Sequence, residues 1–122
     1  MQFLKQLLAV AAIAVSSLAL AEPGITENSI TLGMTSPFSG PNGAYGNEMR
    51  QVIQAYFDQV NKSGGVNGRK INLVALDDGY ETDRAVSNTR ILISEKNAFA
   101  LRASYGSSPT TEAMNTVFGP AK

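Results

Sequence analysis

Residues 98–111 read Ala98-Phe99-Ala100-Leu101-Arg102-Ala103-Ser104-Tyr105-Gly106-Ser107-Ser108-Pro109-Thr110-Thr111. The first part opens with a short apolar run, Ala98 to Leu101, that reads as a buried strand, expected over Ala98 to Ala103. The second part carries a helix start. Pro109 suits the first helical position, where its missing N–H would be orphaned anyway. Ser108 is then the natural N-cap. A strand that runs through hydroxyls into a helix start gathers free backbone N–H groups and the positive end of a helix dipole. Such a place suits an anionic group, most simply the carboxylate of a small solute.

The same strand-then-helix pattern occurs twice upstream. Ser29 to Thr35 alternates, with Ile30, Leu32 and Met34 on one side, and reads as a strand. Ser36 to Gly46 is a Gly/Pro-rich loop. A helix is expected over Asn47 to Lys62, with Met49, Val52, Ile53, Tyr56, Phe57 and Val60 on one apolar face. The glycines from Gly64 to Gly68 end it. Lys70 to Leu76 is a second strand, broken by Asp77-Asp78-Gly79-Tyr80. A second helix is expected over Thr82 to Lys96, with Ala85, Val86, Leu92 and Ile93 facing inward. Asp83 near its start and Lys96 at its end match the helix dipole. A third helix is expected from Pro109 to Phe118.

Alternating strands and helices mean an α/β fold, a three-layer arrangement with a parallel sheet of βαβ units and right-handed crossovers. With the first strand between the second and third, the winding reverses beside the first strand. Ligands bind in the crevice at such a reversal, outside the carboxyl ends of the strands. Ser36–Gly46 and Ser104–Pro109 border that crevice. The Gly64–Gly68 turn enters the second strand at the other end and is expected to be structural.

Gly40, Gly43 and Gly46 form G-x-x-G-x-x-G, which is neither a dinucleotide fingerprint nor a P-loop. Their role is open between a tight loop and close approach to a ligand. Tyr45, an aromatic with a polar tip in that loop, favours a ligand. Ser107, with no capping duty, is the better hydroxyl and N–H donor, and Ser108 is assigned to the cap. Tyr105, Ser108 and Thr110 complete the candidate ligand-binding set. Asp77 and Asp78 point opposite ways on an extended segment, so turn formation is favoured over a metal site or an acid/base pair. The chain has no histidine, which excludes a Ser-His-Asp triad within it, and no cysteine, which excludes disulfides and thiolate ligands. Neither a catalytic residue, a metal nor a cofactor is implied. Ten basic and ten acidic residues balance, so no nucleic-acid footprint or polybasic membrane patch is present.

Residues 1–21 carry the marks of a cleaved signal peptide. Lys5 supplies the basic start, Leu7 to Leu20 the apolar stretch and Ala19-Leu20-Ala21 the cleavage site. The apolar stretch is short for a membrane span, and no cysteine follows it for lipidation. A soluble periplasmic protein with no stable membrane insertion is expected from residue 22 onward.

Taken together, Gly33-Met34-Thr35, Ser39-Gly40-Pro41, Ala44-Tyr45-Gly46, Asn61, Gly64-Gly65-Val66-Asn67-Gly68-Arg69-Lys70, Asp77-Asp78-Gly79-Tyr80, Ala85-Val86, Asn88-Thr89-Arg90 and Pro109-Thr110-Thr111 resemble a known family. It is the Leu/Ile/Val-binding type of periplasmic solute-binding proteins, and the likeness is to their amino-terminal part. The resemblance implies a type I two-lobed fold that closes on a solute, and service to ABC importers with their membrane permease subunits. It also implies that Tyr45 packs on the ligand and Ser107 helps hold its carboxylate. An amino acid is the implied solute, branched-chain first. The family often shows Gly-Thr-Pro-Thr-Thr where this chain has an extra serine at Ser107-Ser108, and Arg102 departs from an apolar strand. A buried charge is costly unless paired, so strand three is expected to end early or be poorly covered there. Family members are several-fold longer. A partial amino-terminal lobe over 22–122 is therefore expected, with one wall of the cleft, an open outer edge on strand three and weak solute binding. A ligand-sensing receptor module and an exported enzyme are the two alternative functions.

Overall fold

Alternation along Ser29–Ser36 builds β1, which lies between two parallel neighbours. The computed structural model of the chain describes residues 22–119; the signal peptide expected over 1–21 lies outside them. The elements in order are β1, α1 (Gly43–Lys62), β2 (Lys70–Asp77), α2 (Thr82–Ser94), β3 (Ala100–Leu101) and α3 (Ser107–Ala113), which continues as a π-helical stretch, Met114–Phe118. The sheet order is β2-β1-β3, all parallel, so the expected α/β sheet with its winding reversal beside β1 is present.

The pleat assigns the layers. Leu32 pairs with Leu73 and Met34 with Ala75, and Leu73 and Ala75 face α1 across a shallow groove. Gly33 and Thr35 point the other way, toward α2: a Cβ on Gly33 would meet Leu92, and Asn88 reaches Thr35. Among the described residues, Met34, Phe57, Ala85, Leu92, Ala98 and Ala113 form the buried apolar core, with Pro37 and Pro109 also fully buried. Asn61 closes the outer edge of β2: its amide takes the Ile71 N–H (2.8 Å) and donates to the Ile71 carbonyl (2.9 Å). A side chain thereby stands in for the next strand at an exposed edge.

Several boundaries differ from the sequence reading. Helix α1 begins at Gly43, not Asn47, so Tyr45 sits in a first helical turn rather than a loop. Helix α2 stops at Ser94, which leaves Lys96 outside it and no basic residue in its last turn. Strand β3 holds only Ala100–Leu101, not Ala98–Ala103, and Arg102 is exposed beyond it, as its charge requires. Val52 (71% exposed) and Tyr56 (63%) on the expected apolar face of α1 are uncovered, and Ile93 on that of α2 is partly so. Met49, Val52 and Ile53 instead border an open groove with Arg102 and Ala103. Helix α3 begins at Ser107, with Gly106 (φ 107) as its cap. Ser108 is therefore not the N-cap, and Pro109 is the third helical residue. Proline fits there because the first four N–H groups of a helix have no partner within it.

The glycines at the start of α1 are packing devices. A Cβ at Gly46 would stand 1.8 Å from the Pro37 carbonyl oxygen, and one at Gly43 would stand 3.0 Å from that of Phe38. Helix propensity alone says that Gly46→Ala stabilises by about 1 kcal/mol. The steric conflict costs about 1–3 kcal/mol and should win. Urea unfolding of Gly46→Ala is expected to show a lowered midpoint; a raised midpoint would mean that α1 does not touch the loop this closely.

Candidate functional site

Parallel strands place all their carboxyl ends, and the starts of the helices that follow, on one rim. The loop after β1 is fixed there by a side chain from β2. Asp77 Oδ1 accepts the N–H groups of Phe38 (2.7 Å), Ser39 (3.3 Å) and Gly79 (2.9 Å), and Oδ2 accepts the Ser39 hydroxyl (2.6 Å). Arg84 adds an ion pair at 3.4 Å. Partial burial pushes the Asp77 carboxyl up, but the Ser39, Phe38 and Gly79 bonds and the Arg84 charge outweigh it and hold the group down at about 2. Asp78 points the opposite way. Fully buried, it accepts the Thr35 hydroxyl (2.8 Å) and the Tyr80 N–H (2.9 Å). Both aspartates thus bond backbone two residues downstream, the turn role read from the sequence, and both also tie β2 to β1.

The clamped loop carries the start of α1. Asn47 donates to the carbonyls of Phe38 and Gly43, both at 2.8 Å, and Arg50 lies over the Phe38 ring at 4.5 Å. This presents Tyr45, 56% exposed, on the rim. Its ring stacks on Tyr105, which follows β3, with centroids 5.6 Å apart and planes 16° apart. Tyr105 in turn meets Tyr80, which follows β2, at 5.9 Å with the rings tilted by 53°. Parallel-offset and tilted pairs at such spacing are the favoured aromatic geometries.

Among the sequence-derived candidates, Tyr45 and Tyr105 meet directly. Ser107 is exposed as the first residue of α3, two positions from Tyr105. Ser108 is also exposed, and its hydroxyl lies 3.4 Å from that of Thr82 at the start of α2. Thr110 turns inward, to a cavity that Tyr105 and Ser104 also line. This mostly apolar cavity of about 500 Å3 lies between α3 and the sheet, and Thr35, Asp78 and Leu101 line it too. Gly43 and Gly46 pack the helix start rather than approach a ligand, whereas Gly40 (φ 72) has open space around it. Tyr80 escaped the sequence reading, where it was only the end of a turn. The one available signal was an aromatic directly after a strand that borders β1.

A family model described as "Periplasmic binding protein" matches residues 29–120. The Leu/Ile/Val-binding protein BraC3 of Rhizobium johnstonii is 33% identical over 87 residues, covering 71% of this chain and 23% of that protein. Among solved structures, the branched-chain amino acid transporter substrate-binding protein LivJ of Streptococcus pneumoniae, in complex with isoleucine, superposes with a TM-score of 0.70 at 28% identity. It covers 75% of this chain and 26% of that one. A fatty acid ABC transporter substrate-binding protein from Thermomonospora curvata superposes with a TM-score of 0.69 at 32% identity, covering 78% and 24%. The chain spans about a quarter of the length of the relatives it matches.

Because the carboxyl of Asp77 is held at about 2 against an ordinary 3.8, its ionised form stabilises the fold fully above about pH 4. That contribution is lost as pH falls toward about 2. The group is one-third exposed, so solvent screening leaves about 1 kcal/mol at neutral pH. Asp77→Asn should be less stable than the parent by that amount at about pH 7, and the gap should shrink between about pH 4 and 2. Denaturation series that stay parallel through this window would contradict the clamp.

Proposed function

The chain belongs to the periplasmic binding protein family, and from that premise we propose that it captures a small carboxylate-bearing solute on the rim formed by Tyr45, Tyr105 and Ser107. The observation that supports this reading most is the Tyr45–Tyr105 stack. It joins the start of α1, which follows β1, to the segment after β3 across the winding reversal, where α/β sheets take ligands. One face of the Tyr45 ring is engaged by Tyr105 and the ring remains more than half exposed. Tyr45 then packs on the solute, and the Ser107 hydroxyl and N–H receive its carboxylate, with Ser108 beside them.

An amino acid is the first choice of solute, branched-chain ahead of others. Relatives named for Leu/Ile/Val and the isoleucine complex support that choice. The neighbour named for fatty acids widens the class, and the carboxylate is the group these solutes share. The chemistry is reversible binding without covalent change. Residues 1–21 act as the cleaved leader that delivers the chain to the periplasm, and an ABC permease receives the solute.

Magnitudes set the expected affinity. A hydrogen bond to a charged group contributes about 1.5–3 kcal/mol and an aromatic contact about 0.5–1.5 kcal/mol. Their sum is close to the ~4 kcal/mol of a millimolar complex, before ordering costs. Leucine added to the chain should therefore shift the Tyr45 ring and Ser107 amide signals in NMR, saturating at about 1 mM or above. Tyr45→Ala and Ser107→Ala should each weaken the response. Shifts confined to residues away from this rim, or tight micromolar binding by calorimetry that ignores both substitutions, would overturn the proposal.

A further inference from the structure

Tyr80 is the third ring of the rim, and it touches both halves of the solute site. Its ring contacts Tyr105, the plate on which Tyr45 stacks. Its edge also lies against Gly106, the residue that caps α3 and immediately precedes Ser107. A Cβ at position 106 would stand 2.8 Å from Tyr80 Cε2. Tyr80 thus supports the aromatic plate on one side and the turn that carries the hydroxyl on the other.

The chain holds Tyr80 in place at a cost. Its φ of 68 lies in the left-handed region that a side chain of this size rarely adopts. Ala103, two residues before Tyr105, is likewise left-handed (φ 55). Such conformations persist where the surroundings enforce them. For Tyr80 the enforcement is visible: fully buried Asp78 accepts its N–H at 2.9 Å while also accepting the Thr35 hydroxyl of β1. The ring is therefore aimed by β1 and β2, although it acts on the segment after β3. The Asp78 bond would serve a turn with any residue at this position, and for the turn alone glycine would serve better than tyrosine.

We propose that Tyr80 is a positioning residue for the solute site, setting Tyr45 through Tyr105 and Ser107 through Gly106. This rests on the rim being the solute site. Tyr80 itself is not assigned a solute contact; removing its ring should loosen both groups that are. The expected loss is the share of one aromatic pair, roughly two- to tenfold in affinity.

The chain has four tyrosines, so 3-fluorotyrosine labelling gives one fluorine signal for each, with exposed Tyr56, outside the cluster, as internal control. Tyr80→Gly removes the ring while relieving the backbone, so loss of folding is not expected; far-UV circular dichroism checks it. Tyr80→Phe keeps the ring. In Tyr80→Gly the Tyr45 and Tyr105 signals should move, Tyr56 should not, and leucine should need roughly two- to tenfold higher concentration for the same response. Tyr80→Phe should match the parent in the Tyr45, Tyr105 and Tyr56 signals and in the leucine response. A leucine response that survives Tyr80→Gly unchanged overturns the positioning role alone. A parent chain in which leucine never shifts Tyr45 overturns the solute site, and the role given to Tyr80 with it.

Discussion

One carboxylate organises the rim. Asp77, at the last position of β2, gathers two backbone N–H groups and a hydroxyl from the loop after β1, one N–H from its own turn, and the Arg84 guanidinium. Without Asp77, the Phe38 and Ser39 N–H groups in the irregular loop from Pro37 to Asn42 would turn to water and leave the loop unanchored. Drawn in by Asp77, it becomes a fixed seat for the start of α1. Asn47 and the absent Cβ atoms of Gly43 and Gly46 then let the helix sit directly on the Phe38 and Pro37 carbonyls. The direction in which Tyr45 points is set by this sequence of contacts.

Asp78 performs the complementary task on the other face. Alternation along β2 sends adjacent aspartates to opposite sides of the sheet. One therefore holds the α1 side of the rim and the other holds Thr35 and Tyr80 on the α2 side. The two-residue acidic pair, unpromising as a catalytic or metal centre, is the hinge between sheet and site. The three tyrosines that result follow three different strands, Tyr45 in the first turn of α1. The ends of those strands share a rim only because the sheet is parallel and β1 lies in its centre. The rim proposed to bind a solute follows from topology plus a few polar anchors, with a thin apolar core beneath it. Met34 and Leu92 are the largest apolar side chains fully buried.

Much of the architecture was legible because it rests on local pattern. The alternation of Ile30, Leu32 and Met34, the run from Lys70, and the glycines after Lys62 mark β1, β2 and the end of α1 within a residue or so. What was not legible depends on contacts between distant segments. The start of α1 carries no side-chain cap; its position comes from the fit of two glycines against a loop, which no local motif announces. Pro109 misplaced the start of α3 by two residues, because proline is tolerated throughout an N-terminal turn and Gly106, with its left-handed φ, allows an earlier start. Val52 and Tyr56 obey helical periodicity yet lie uncovered, since periodicity reports an apolar face and not what packs on it. Within the candidate site, Tyr45, Tyr105 and Ser107 could be read from their positions beside the winding reversal. Thr110 was also a candidate, but its turn into the cavity shared with Tyr105 depends on where α3 begins. Tyr80 was missed because it reaches Tyr105 across the end of β1.

The account stands on the segments after β1 and β3 meeting at their tyrosines. Ring-to-ring nuclear Overhauser effects on the folded chain at neutral pH test this without any solute. Cross-peaks between the Tyr45 and Tyr105 rings are predicted, with a second set between Tyr105 and Tyr80 and none from Tyr56 to Tyr45 or Tyr105. A folded chain whose Tyr45 ring contacts only its own helix and loop would contradict it.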